Sequence, residues 1–219
     1  MNEVNISVRG EHQVEVPAEL GIVYLAVSTS GPERPAVVER AVALSDPLRA
    51  DLSARKQAGQ LQEWVSQQVE IRSERPWNDG RYLAPVHYAT INFTVTFHDA
   101  GELSMWVSEI AERDGIQVGH IAWELSAQTK QRVERETATA AVKVAVERAT
   151  AYANAIGKKE ITPLQIADVG LLSNTQVQPR AMFAQGKMAM ASDAGQASLD
   201  LHPQDIIISA AVEARFAAH

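Results

Sequence analysis

The chain has 219 residues, 46% of them apolar, a formal net charge of −7 and no cysteine. That is enough apolar material for a substantial core in one large or two small domains. The missing thiols exclude disulfides, thiolate nucleophiles and cysteine metal sites, and the acidic balance argues against nucleic acid or an anionic membrane as a partner.

In chain order, Val4, Ile6 and Val8 alternate with polar residues and read as a half-buried strand, interrupted at Gly10. A second strand follows, with Val23, Leu25 and Val27 alternating with Tyr24, Ala26 and Ser28. The two are expected to pair as a hairpin. Gly31-Pro32 ends the second strand, and a helix begins near Pro35, where a missing N–H costs nothing. Its apolar face is Val37 or Val38, Ala41, Leu44, Leu48 and Leu52, and Pro47 is predicted to kink or split it near Ser45-Asp46. Leu61 to Ile71 returns to extended form, with Trp64, Val65, Val69 and Ile71 inward.

The most polar loop runs from Arg72 to Tyr82, and Asn78-Asp79-Gly80 within it is a turn signal joining antiparallel strands. The returning strand, Val86 to Phe97, alternates Thr90, Asn92, Thr94 and Thr96 with Ala89, Ile91, Phe93 and Val95. Asp99 caps a short helix through Leu103, Trp106, Val107, Ile110 and Ala111, ended by Asp114-Gly115, and a strand from Val118 to Leu125 follows.

Ser126 to Gly157 is the longest helical pattern. Ser126 is its N-cap, Gly157 its left-handed stop, and Lys158 and Lys159 suit the C-terminal dipole. Ala138, Ala141, Val142, Ala145, Ala149, Tyr152 and Ile156 share one face, widened by Val133, Ala140, Val144, Ala151 and Ala155 to more than half the circumference. So alanine-rich a helix can lie close against a sheet, and it is expected to be the central packing element. Arg148 projects into the apolar arc. It is therefore expected to reach a buried carboxylate or to lie at a subunit contact, because an unpaired buried charge is costly.

Strands from Leu164 to Leu172 and from Ile206 to Phe216 close the pattern. Between them lies an insert at about 176–203, where Met182, Phe183, Met188 and Met190 sit among alanine, glycine, glutamine and proline. Adaptable methionine-rich sequence suits a neighbouring subunit or an apolar partner, and the plain alternative is a disordered excursion. The element order predicts an α+β protein, an antiparallel-sheet α/β sandwich. It has a ferredoxin-like βαββαβ core from Ile22 to Leu125, an extra first strand, and a long helix plus two strands after it. No linker composition marks a boundary, so residues 1–219 read as a single domain.

Several of these segments match, in order, the SIMPL domain family, also called DUF541. Ala141 to Gly157 followed by Ile166-Ala167-Asp168-Val169 resembles its alanine-rich helix and next strand. Ile6-Ser7-Val8-Arg9-Gly10-Glu11 with Val16-Pro17 resembles its start, and Tyr88 to Asp99 its central strand. The insert with Pro179 and Met182, and the close from Pro203 through Phe216, occupy the corresponding places, with Gln204 where a glycine usually follows the proline. The resemblance implies an α/β protein without agreed catalytic residues, ring-like or hollow homo-oligomers in some members, and suggested stress or signalling roles. Many members are exported. Here residues Met1 to Arg9 lack the charged-then-apolar export pattern and no apolar run is long enough to span a membrane, so a cytoplasmic protein is expected.

The residues offer no catalytic motif. His12, His87, His98, His120, His202 and His219 show no paired helical spacing, so neither a metal nor another cofactor is predicted. No serine sits in a nucleophile elbow and no glycine-rich phosphate loop occurs. Glu134, Glu136 and Glu147 are expected to form solvated ion pairs with Arg132, Lys143 or Arg148.

The loop with Arg72, Arg75, Trp77, Arg81 and Tyr82 has the arginine-aromatic mixture of an interface, against the alternative of an ordinary hairpin with Trp77 folded back for cover. The first expectation is a non-enzymatic protein acting through homo-oligomerisation or a protein partner. Its contact surfaces would be Arg75, Trp77, Arg81 and Tyr82 with Met182, Phe183, Met188 and Met190, and deleting 178–198 would weaken assembly. The alternative is a small-molecule-binding protein or hydrolase with a pocket between the long helix and the sheet, holding His87, His98 and Arg148.

Overall fold

The computed structural model describes residues 3–172 and 201–219. The chain is α+β, with antiparallel sheets and three helices among the described residues. It divides into two compact units. One is a ferredoxin-like unit of residues 17–125 and 201–204. The other, a long-helix unit, is built from 3–16, 126–172 and 205–219.

The ferredoxin-like unit contains β2 (Leu20–Gly31), α1 (Arg34–Gln57), β3 (Glu63–Ser66), β4 (Glu70–Glu74), β7 (Val86–Phe97), α2 (Ala100–Ala111) and β8 (Ile116–Glu124). A two-stranded hairpin, β5 (Trp77–Asn78) and β6 (Arg81–Tyr82), interrupts the series. The sheet order is β3-β7-β2-β8, with β4 continuing the β3 position against β7, so both crossovers carry a helix to the same face. The predicted single strand over 61–71 is thus two short ones. Trp64 and Val65 are adjacent and cannot both face inward: Trp64 packs against the core and Val65 is exposed.

Alternation places Val23, Leu25 and Val27 of β2 opposite Val95, Phe93 and Ile91 of β7, all buried. Val37, Ala41, Leu48 and Leu52 of α1 and Leu103, Trp106, Val107 and Ile110 of α2 cover them. Pro47 does not split α1, which runs unbroken past it, and the buried Ser45 returns its hydroxyl to Ala41 O at 2.8 Å. Asp99 caps α2 as expected, accepting from the Glu102 N–H at 2.8 Å.

A polar link ties the two helices. The fully buried Trp106 donates its indole N–H to Asp51 at 2.9 Å, and Arg55 bridges Asp51 at 3.0 Å and Glu109 at 2.7 Å. Asp51→Ala leaves that indole donor without its acceptor. It is expected to lower unfolding free energy by about 1–3 kcal/mol, read from the urea midpoint at constant m-value.

In the long-helix unit, β1 (Val4–Val16) pairs along its whole length with β10 (Ile206–Ala218), which pairs on its other side with β9 (Ile161–Asp168). The expected β1–β2 hairpin does not form. Alternation in Val4, Ile6 and Val8 specifies a buried face but not a partner, and the partner is the distant β10.

The helix α3 (Ala127–Ala155) packs on β1 and β10 and barely touches β9. Its caps are as read: Ser126 accepts from the Thr129 N–H at 3.3 Å, and Gly157 has φ 78°. Its buried surface is narrower than predicted. Val133, Thr137, Ala141, Ala145, Ala149 and Ala153 form one four-residue stripe, while Ala138, Ala151, Tyr152, Ala155 and Ile156 are exposed. Nor is it the centre of the larger core, which belongs to α1 and α2.

The stripe meets Ile6, Val8, Val212, Ala214 and Phe216 from the sheet. At its middle, Gly10 lies directly under α3. A Cβ there would meet the Ala141 carbonyl oxygen, the Ala145 nitrogen at 2.7 Å and the Ala145 Cβ at 2.9 Å. Alanine on one side and glycine on the other bring helix and strand backbones into contact.

Candidate functional site

Three surfaces carry the residues that the sequence singled out, and a fourth emerges from the fold. The loop after β4 closes as the predicted hairpin. Asp79 and Gly80 both take positive φ, 50° and 80°, as a two-residue turn between twisted strands requires. Register then sets Trp77 opposite Tyr82, and their rings meet edge-on at 4.7 Å. Both remain exposed, 61% and 68%, so Trp77 covers Tyr82 and is not folded back onto the core. Arg75 and Arg81 are exposed beside them, whereas Arg72 is engaged with Glu74 at 3.2 Å and with the Tyr88 ring at 5.1 Å. Met182, Phe183, Met188 and Met190 lie outside the described residues.

The face of the ferredoxin-like sheet opposite its helices is polar. Tyr24, Ala26 and Ser28 of β2 stand beside Thr94, Asn92 and Thr90 of β7, with Ser28 and Thr90 hydroxyls 3.2 Å apart. A bulge in β8 opposite Tyr24 turns His120 onto that ring, stacked at 4.3 Å. Gly119 makes the bulge possible, because a Cβ there would approach the Tyr24 carbonyl oxygen to 2.8 Å.

Arg148 does not reach a buried carboxylate. It is exposed, and its guanidinium donates to the Arg9 carbonyl at 2.7 Å, on the strand edge beside α3. The projection failed because a four-residue stripe advances about 40° around the helix at each step, so the buried line drifts away from the straight face assumed from the period.

Arg148 lines a groove of about 290 Å³ with Ser7, Arg9, Tyr152, Leu172, Glu213 and Arg215. Arg215 is held there by Gln165 at 3.2 Å and the Leu172 carbonyl at 3.0 Å, and Glu213 accepts from the Leu172 N–H at 3.3 Å. Neither His87 nor His98 lines this groove. His87 instead shares a 2.7 Å hydrogen bond with Ser73, and the expected convergence of His87, His98 and Arg148 does not occur there. Among the described residues no three His, Asp or Glu side chains gather as metal ligands. Of the expected α3 ion pairs, Arg132–Glu136 forms, at 3.2 Å.

The fourth surface was missed in the sequence. Among the described residues β9 pairs on one side only, and α3 leaves its face largely bare. Leu164 and Ile166 are half exposed and Leu171 just beyond is 74% exposed. The other outer strand, β1, carries Arg9, Glu11 and Glu15 and has its Arg9 carbonyl occupied by Arg148. β9 has no charge before Asp168, and its Pro163 fits an edge position. The available signal was that proline, which bars a central strand.

No helix among the described residues is long and apolar enough to cross a membrane. No curated protein matches the chain. The family model for SIMPL, a protein of unknown function (DUF541), matches residues 6–216.

Proposed function

We propose, since the chain belongs to the SIMPL (DUF541) family, that it is a non-enzymatic protein acting through self-association or capture of a protein partner. The family description names no activity, and the match runs through both compact units, which supports treating residues 1–219 as a single family domain. The observation that carries the reading is the β9 edge. A sheet edge that pairs with no other strand among the described residues, flanked by exposed Leu164, Ile166 and Leu171 and free of charge before Asp168, is a template for another strand. A second copy of this chain is the natural occupant, since each copy supplies the same edge and an antiparallel pairing of two such edges is self-complementary.

The exposed Trp77–Tyr82 pair with Arg75 and Arg81 is a second contact of the kind that dominates interface energies. A small-molecule role is the second reading, carried by the groove at Arg148. Static light scattering on the purified chain across a concentration series tests the first. A stable multiple of 23.8 kDa is expected, and a strict monomer throughout would exclude self-association.

A further inference from the structure

We propose that the groove at Arg148 is a binding site for a small anionic ligand, one bearing a phosphate or carboxylate group. Three guanidinium groups, Arg9, Arg148 and Arg215, line one groove of about 290 Å³ in a protein whose net charge is −7. Local concentration of positive charge against an acidic background is what an anion site requires and what a solvated surface rarely arranges.

The partners of these arginines matter more than their number. Arg9 is matched by Glu11 at 2.5 Å. Among the described residues Arg148 bonds only a neutral carbonyl, Arg9 O, and Arg215 only the neutral Gln165 amide and Leu172 carbonyl. Among the described residues, therefore, two guanidinium groups are oriented by neutral acceptors and neither forms an ion pair. A guanidinium has five N–H donors, and these contacts leave donors available for a bidentate oxyanion.

Positioning is supplied by the fold. Arg148 is pinned to the edge of β1 and Arg215 sits between β9 and Leu172, so neither must be ordered anew on binding. Glu213, the one carboxylate lining the groove among the described residues, accepts from the Leu172 N–H. Tyr152, half exposed on α3, and Leu172 offer an apolar flank for the body of a ligand.

The test is isothermal titration calorimetry of the full chain with inorganic phosphate and, separately, with benzoate, each against sodium chloride of equal ionic strength. Saturable binding in the millimolar range or tighter is expected for at least one anion. Phosphate alone would assign a phosphoryl-bearing ligand, benzoate alone a carboxylate with a flat body, and both a general oxyanion site. Arg148→Gln and Arg215→Gln are each expected to weaken binding about tenfold or more. Arg132→Gln, an exposed arginine of the same helix already paired with Glu136, is expected to leave it unchanged. Arg148→Lys, which keeps the charge but not the fork, should fall between and guards against a folding artefact. No saturable heat from either anion with the parent chain, or an equal loss in Arg132→Gln, overturns the proposal. Because the readout is ligand heat and not native mass, it stands or falls apart from self-association.

Discussion

Gly10→Ala is expected to destabilise the long-helix unit by about 3 kcal/mol, near the upper end of typical overpacking costs. The added methyl would be driven against the Ala141 carbonyl oxygen and the Ala145 nitrogen, which are helix backbone and cannot rotate away. Relief requires α3 to lift from β1, which opens the packing of Ala141, Ala145 and Ala149 on Ile6, Val8 and Val212. Gly21→Ala provides the comparison. Its new methyl would meet the ends of the Leu103 and Trp123 side chains, which can move, and a smaller loss is expected. Urea unfolding followed by circular dichroism measures both. Equal midpoints for Gly10→Ala and the parent would show that helix and strand are not in backbone contact.

If copies of the chain pair through β9 as proposed, Ile166→Lys is expected to dissociate them while leaving the fold intact. The position is half exposed on β9, so a lysine can lay its stem on the covered side and keep its ammonium in water at small cost to the fold. In a paired edge it would bury a charge against its symmetry mate and cost the association more than tenfold. Light scattering at fixed concentration should then report a mass falling towards 23.8 kDa, with unchanged circular dichroism. Trp77→Ala, on the separate hairpin, distinguishes the two surfaces: if it alone lowers the mass, the contact runs through the Trp77–Tyr82 pair and not through β9.

Features encoded within a few residues were legible in the sequence. The cap at Ser126, the stop at Gly157, the turn at Asp79-Gly80 and the alternation of Val86 to Phe97 each follow from short-range sterics or hydrogen bonding, and the structure has each of them. What was lost depended on distant partners. Val4, Ile6 and Val8 carry the same alternation whether they lie beside β2 or β10, and only the whole sheet decides.

Alanine hid the true face of α3. It is small and nearly indifferent to exposure, so Ala138 and Ala151 looked the same as Ala141 and Ala145, although only the latter pair is buried. Arg148 falls outside the buried line because that line drifts around the helix. At the hairpin, sequence placed Trp77 and Tyr82 near one turn, and the register of that turn set their rings edge to edge. At β9 the local mark of an edge was Pro163 alone, because the apolar residues around it are those of any buried strand.

The pairing of Val4 with Ala218 makes the long-helix unit a late structure. During synthesis the strands of the ferredoxin-like sheet emerge within residues 17–125 and can close on one another while β10 is still unmade. β1 leaves the ribosome before the ferredoxin-like strands yet waits for β10, which follows them, and α3 has no complete sheet to lie on until then. Through that interval the alternating apolar face of Ile6 and Val8 stays open to any strand nearby. Arg9, Glu11 and Glu15, facing away from the helix on the same strand, are thus placed where charge discourages premature pairing during the wait.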